Sequence, residues 1–132
     1  METAYGLSVD VDLPYEEALA RVTEALKAEG FGVLTTIDVK ATMKAKLDAD
    51  FRPYVILGAC NPHLAHQALS AELELGLLLP CNVIVYERDG GGSTVSAMNA
   101  LAAMSFTGNP ALEPIAQEAS ERLQRALSAV AS

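Results

Sequence analysis

The most constraining stretch of this chain is residues 55–62, VILGACNP. Val55, Ile56, Leu57, Gly58 and Ala59 run apolar without polar alternation, the pattern of a strand placed centrally in a sheet. Cys60 ends the run, and Asn61 followed by Pro62 is an N-cap and first-turn pair. A central strand therefore passes directly into a helix, expected to reach about Glu72 with Leu64, Ala68, Leu69 and Leu73 inward. The rest of the chain has to supply neighbours for that strand and a layer to cover it.

Tyr5, Leu7, Val9 and Val11 alternate with Gly6, Ser8, Asp10 and Asp12, which predicts a first strand with one wet face. Pro14, the acidic pair Glu16 and Glu17, and the stop at Gly30 bracket a helix whose apolar face is Tyr15, Leu19, Val22 and Leu26. Residues 32–37 read as a second strand with Val33, Thr35 and Ile37 on one side. Asp38 then caps a short helix in which Val39, Met43 and Leu47 recur while Lys40, Lys44 and Lys46 point elsewhere.

Residues 75–87 read as extended but interrupted at Pro80, implying an edge, a bulge or two strands in series. Asp89, Gly90, Gly91 and Gly92 turn the chain into residues 93–98, making a hairpin. Residues 99–109 read either as a helical turn or as a loop over the sheet. Leu112, Ile115, Ala119, Leu123, Ala126 and Val130 define a closing helix that starts near Glu113. The order β-α-β-(α)-β-α-β-β-α predicts an α+β fold in two layers, a largely antiparallel sheet packed against helices, as one domain over residues 1–132.

Composition narrows the function classes. A net charge of −8 and a pI near 4.6 exclude the dense basic footprint that nucleic acid requires. The longest nearly uncharged stretch, residues 75–86, is broken by Gly76, Pro80 and Asn82 and is too short to span a bilayer. Residues 1–12 carry Glu2, Asp10 and Asp12 where a secretory signal would be basic and then apolar. A cytoplasmic location follows as the expectation, with Cys60 and Cys81 as free thiols. With 132 residues the chain needs no disulfide framework or structural metal to fold.

Three segments, VILGACNP at 55–62, LLLPCNVIV at 77–85 and FGVLTTIDVK at 31–40, together resemble the family catalogued as domain of unknown function 302. The resemblance extends over essentially the whole chain, to the Asn109, Pro110, Ala111 and Leu112 start of the last helix. It implies an α+β fold of this order and a homodimer, with no established activity. This chain departs from the family at Asn99 and Ala100, where many relatives carry proline near the end of the hairpin strand.

Several constellations carry chemistry. Cys60 precedes a helix start, where the peptide dipoles favour thiolate over thiol. Cys81 lies in a second Cys-Asn step with Asn82, and the two sulfurs form a redox pair or share a metal if their strands are neighbours. The competing reading makes both cysteines small packing residues. His63 and His66 share a helix face with the Cys60 end, but Cys-Asn-Pro-His-x-x-His is no known metal spacing, so exposed histidines and no metal are expected. Residues 38–52 carry a net +1 against −9 for the remainder. Lys40 and Lys44 could hold a small anionic ligand with the helix start after Cys60 if the two segments face each other, or they are simply a solvated helix face.

Residues 89–92 are not a phosphate loop, and neither a Gly-x-Ser-x-Gly elbow nor a His-Glu-x-x-His pair occurs, so no cofactor is expected. Leu73, Leu75, Leu77, Leu78 and Leu79, with Met98, Leu101, Met104 and Phe106, exceed what one layer contact consumes and suit a homodimer interface. The sequence reads best as a homodimeric, non-enzymatic module that binds a small molecule or a partner through Lys40, Lys44, Cys60, Asn61, His63, His66 and Asn82. The alternative is a thiol-dependent enzyme or redox protein using Cys60 and Cys81.

Overall fold

In the computed structural model, which describes residues 3–132, the apolar run becomes β3 (Tyr54–Cys60), an interior strand with partners on both sides. The other strands are β1 (Gly6–Val11), β2 (Gly32–Asp38), β4 (Cys81–Glu87) and β5 (Ser93–Met98). They form one sheet in the order β1-β5-β4-β3-β2, and each neighbouring pair is antiparallel. The helices are α1 (Tyr15–Ala28), α2 (Val39–Leu47), α3 (Pro62–Ala71), α4 (Ala100–Ser105) and α5 (Glu113–Ala131).

The expected α+β architecture is present, and the middle position of the sheet belongs to β4 rather than β3. Val55, Leu57 and Ala59 of β3, Val83 and Val85 of β4, and Val95 and Ala97 of β5 all face the helical layer. There they meet Ala18, Val22 and Leu26 of α1 and Leu123, Ala126, Leu127 and Val130 of α5 in the main core. These are the positions that the 3.6-residue spacing of both helices brings to one face.

Local chemistry explains the boundaries. Gly30 stops α1 at φ +84°, a left-handed conformation that costs a residue with a Cβ and suits glycine. Asp38 caps α2 by accepting from the Ala41 amide at 2.9 Å, and Asn61 caps α3 by accepting from the Leu64 amide at 3.2 Å. At Gly58 a Cβ would collide with the Thr35 hydroxyl and come within 2.8 Å of Pro80 Cγ, so β2 and the approach to β4 close over this position only because it lacks a side chain.

Two expectations are corrected and one open path is resolved. Residues 75–80 are not strand: a 3-10 helix spans Leu73–Leu78, and β4 begins only at Cys81, after Pro80, where the missing N–H costs the ladder nothing. That helix turns Leu75 into a second buried cluster with Ala68, Met104, Leu112 and Ala116. A bulge between Val33 and Thr35 then breaks the alternation of β2, so that Val33 pairs with Ala59 while Thr35 pairs with Gly58 and Ile37 with Ile56 on the opposite face. Finally, the path of residues 99–109 is settled by two asparagines. Asn99 caps α4 through the Ala102 amide, and Asn109 caps a 3-10 turn at Pro110–Leu112 through the Ala111 amide.

The surplus of leucine is only partly surface. Leu75 and Met104 are buried and Leu78, Leu79 and Leu101 are half-buried, whereas Leu73, Leu77 and Phe106 are 83%, 84% and 88% exposed. Truncating Leu123 to alanine is expected to lower unfolding free energy by about 3 kcal/mol, whereas Leu73→Ala should stay within about 0.5 kcal/mol of the parent, both read from urea denaturation.

Candidate functional site

A cavity of about 280 Å³ opens where the main core, the Leu75 cluster and a third small cluster of Leu64, Ala100 and Ala119 meet without merging. Phe31 and Ala59 come from the first, Ala68 and Met104 from the second, and Leu64 and Ala119 from the third. Leu34, thrown outward by the bulge in β2, also lines it. The wall is almost wholly carbon, with both cysteines and Asn61 as its chemically distinct members.

The antiparallel register brings both cysteines to the same end of the sheet, where each contributes to the lining. Ala59 is the direct partner of Cys81, so Cys60, the next residue along β3, sits diagonally across from it at the end of the sheet. Cys60 is half-buried, whereas Cys81 is buried, and both are free thiols. Burial pushes the Cys81 thiol up from its ordinary 9.0 to about 11, with the nearby Cys60 adding a smaller charge effect in the same direction. Cys81 is therefore protonated at neutral pH and has little nucleophilic thiolate.

Asn61 is only 8% exposed, and its carbonyl oxygen is occupied by the helix cap. Its amide nitrogen lies 2.9 Å from where a Cβ on Gly30 would stand, so the glycine that ends α1 also makes room for the residue that starts α3. Its side-chain oxygen serves this junction, and the residues around it in the cavity wall are mainly apolar.

The remaining sequence-derived residues do not assemble here. Asn82 is exposed and pairs with Gly58, so strand alternation places it on the helix-free face, opposite Cys81. His63 and His66 are exposed on α3, and among the described residues no group of three or more His, Cys, Asp or Glu side chains is arranged to hold a metal ion. Lys40 and Lys44 lie on α2, which follows the end of β2 paired with Val55, whereas Cys60 pairs with Gly32 at the other end. The seven-residue length of β3 separates the two ends by roughly 20 Å, so the lysines and the α3 start do not face each other. The lysines have local partners instead: Lys40 Nζ donates to the Phe51 carbonyl at 2.9 Å, and Lys44 pairs with Asp48 at 2.9 Å.

The cavity walls Leu34, Leu79 and Ile115 were missed because they come from a bulge, a segment expected to be strand and a helix face expected to be plain core. No spacing rule marks a void left between clusters.

Two outcomes test this geometry. Iodoacetamide at about pH 8 should modify Cys60 at least tenfold faster than Cys81, measured by peptide mass spectrometry on folded protein. Because the folded pKa of Cys81 is raised, its contribution to stability is complete below about pH 9 and lost as pH rises through about 11. Over that window the parent should lose on the order of 2 kcal/mol more unfolding free energy than Cys81→Ala, by urea titration; parallel curves would contradict the assignment.

No curated protein matches the chain. A crystal structure of an uncharacterized conserved protein DUF302 from Bacillus stearothermophilus is 34% identical, covering 96% of this chain and 98% of that one with a TM-score of 0.88. The family model described as domain of unknown function DUF302 matches residues 7–130, and the chain belongs to that family.

Proposed function

We propose that this protein is a homodimeric, non-enzymatic binding module whose small-molecule site is the cavity between β3, β4, α3 and α5. The observation that carries the reading is the cavity itself: about 280 Å³ of space with apolar walls, at a place where close packing would otherwise be the rule. The walls favour an uncharged, largely hydrocarbon ligand over the small anion suggested by Lys40 and Lys44, because among the described residues no cationic side chain lines the space. The free thiols fit a reducing, cytoplasmic setting.

The thiol-dependent alternative draws its support from Cys60, which is half-buried beside the start of the ten-residue helix α3. Its weakness is the second thiol, since the proton on Cys81 is held firmly by burial. In a redox reading the pair would have to exchange electrons through a sulfur that resists ionisation.

A paired titration separates these readings. With 1-octanol as probe, saturable amide NMR shifts are expected at Leu34, Ala59, Leu64 and Ile115, with Lys40 and Lys44 unmoved. Ala65→Leu, which adds bulk at a partly exposed lining position on α3, should weaken that binding about tenfold without unfolding the helix. Octanoate should bind no more tightly than octanol. Shifts centred on residues 40–46 would favour the anionic ligand instead, and no saturable shift with either probe would remove the binding reading.

A further inference from the structure

We infer that the cavity takes an uncharged carbonyl compound with a hydrocarbon body, its oxygen received by the side-chain amide of Asn61, an inference that rests on the binding reading and names the class of molecule bound. Asn61 lines the cavity and is 8% exposed. Its Oδ1 is committed to the cap of α3, accepting from the Leu64 amide at 3.2 Å. Its Nδ2 carries two N–H donors, and among the described residues neither meets an acceptor. No side-chain nitrogen or oxygen of the described residues is both sealed from solvent and unpartnered, so Nδ2 keeps accessible surface.

The fold does not call for this donor. A helix cap uses a side-chain oxygen, and Asp or Ser would supply one equally well without an amide nitrogen. Nor can the Gly30 side satisfy it. Gly30 has no side chain, and the polar group beside it is the Arg122 guanidinium, itself a donor, which gives Nη1 to the Glu29 carbonyl at 3.1 Å and Nε to Glu118 at 3.0 Å. On the cavity side, Phe31, Leu64, Ala65 and Ile115 present carbon.

The acceptor therefore comes from outside the chain, as water or as ligand. A well-held water makes two to four hydrogen bonds, and here it would find one amide in a wall of carbon. Such a water is displaced at little cost by an oxygen that takes over its one bond. A carboxylate would bring a charge that no cation among the described lining residues offsets. A hydroxyl would bring an O–H that needs an acceptor of its own. A ketone, aldehyde or ester oxygen accepts and donates nothing, so it matches the amide while its hydrocarbon part fills the about 280 Å³ of apolar space.

An NMR titration of the intact chain with 2-heptanone and with 1-heptene, which has the same chain length and no oxygen, tests this. Both probes should shift the backbone amides of Leu34 and Ile115. The Asn61 side-chain amide protons should move downfield at least threefold further with the ketone than with the alkene. Asn61→Asp keeps the capping oxygen and removes the donor, and it should weaken 2-heptanone about tenfold while changing 1-heptene less than threefold. Equal movement of the Asn61 amide with both probes, or equal weakening of both in Asn61→Asp, overturns the carbonyl anchor and leaves the cavity reading standing. If neither probe shifts Leu34 or Ile115 in the wild-type chain, both fall.

Discussion

The register between β3 and β4 is the constraint from which the rest of this molecule follows. Leu57 opposite Val83 and Ala59 opposite Cys81 place one set of alternate residues against α1 and α5, and the same pairing sends Ile56, Ile84, Tyr54 and Tyr86 to the other side. A one-residue slip would exchange the two sets. It would bring the tyrosines under the helices, where their hydroxyls would need partners, and would leave the small Ala59 and Cys81 facing outward. Gly58 reinforces the register because Thr35 and Pro80 close over it, and a side chain at that position would force them apart.

The cavity is a consequence of how the second half of the chain returns to this sheet. The region from α3 to the start of α5 builds its own cluster around Leu75, Met104 and Leu112, while α5 continues into the main core through Leu123, Ala126 and Leu127. Two apolar clusters fed by one helix would be expected to fuse, since burial of each further methylene is favourable by about 0.8 kcal/mol. Small residues at the junction, Ala65, Ala68 and Ala119, leave the space between them unfilled.

How far the sequence revealed this structure depended on whether a periodic signal was present. The order of strands and major helices was legible from alternation in β1, from the 3.6-residue spacing in α1 and α5, and from the Asn61-Pro62 and Asp38 caps. The 3-10 helix at Leu73–Leu78 was not, because a short leucine-rich run has no period that separates strand from helix and Leu75 is turned inward by tertiary packing. The bulge in β2 was equally silent, and it alone reverses Thr35 and Ile37. At the site, Cys60, Asn61 and Cys81 were found through their junction with a helix and their place in the strands. Lys40, Lys44 and Asn82 were grouped with them by charge and motif, and strand length and strand face separate them.

The two Cys-Asn steps show why local sequence does not determine the chemistry of a site. At the first, the chain leaves the sheet, so Cys60 remains half-buried while Asn61 is drawn inward to cap α3. At the second, the chain enters the sheet, so Cys81 is buried beside Ala59 and Asn82 points to the helix-free face. The same dipeptide thus contributes a half-buried cysteine and a buried asparagine in one place, and a buried cysteine and an exposed asparagine in the other. Burial then divides their reactivity, because a thiol without water or a nearby cation loses the stabilisation that thiolate formation needs. The two cysteines border one cavity as chemically unequal members, and that inequality is set by the direction in which the backbone crosses the end of the sheet.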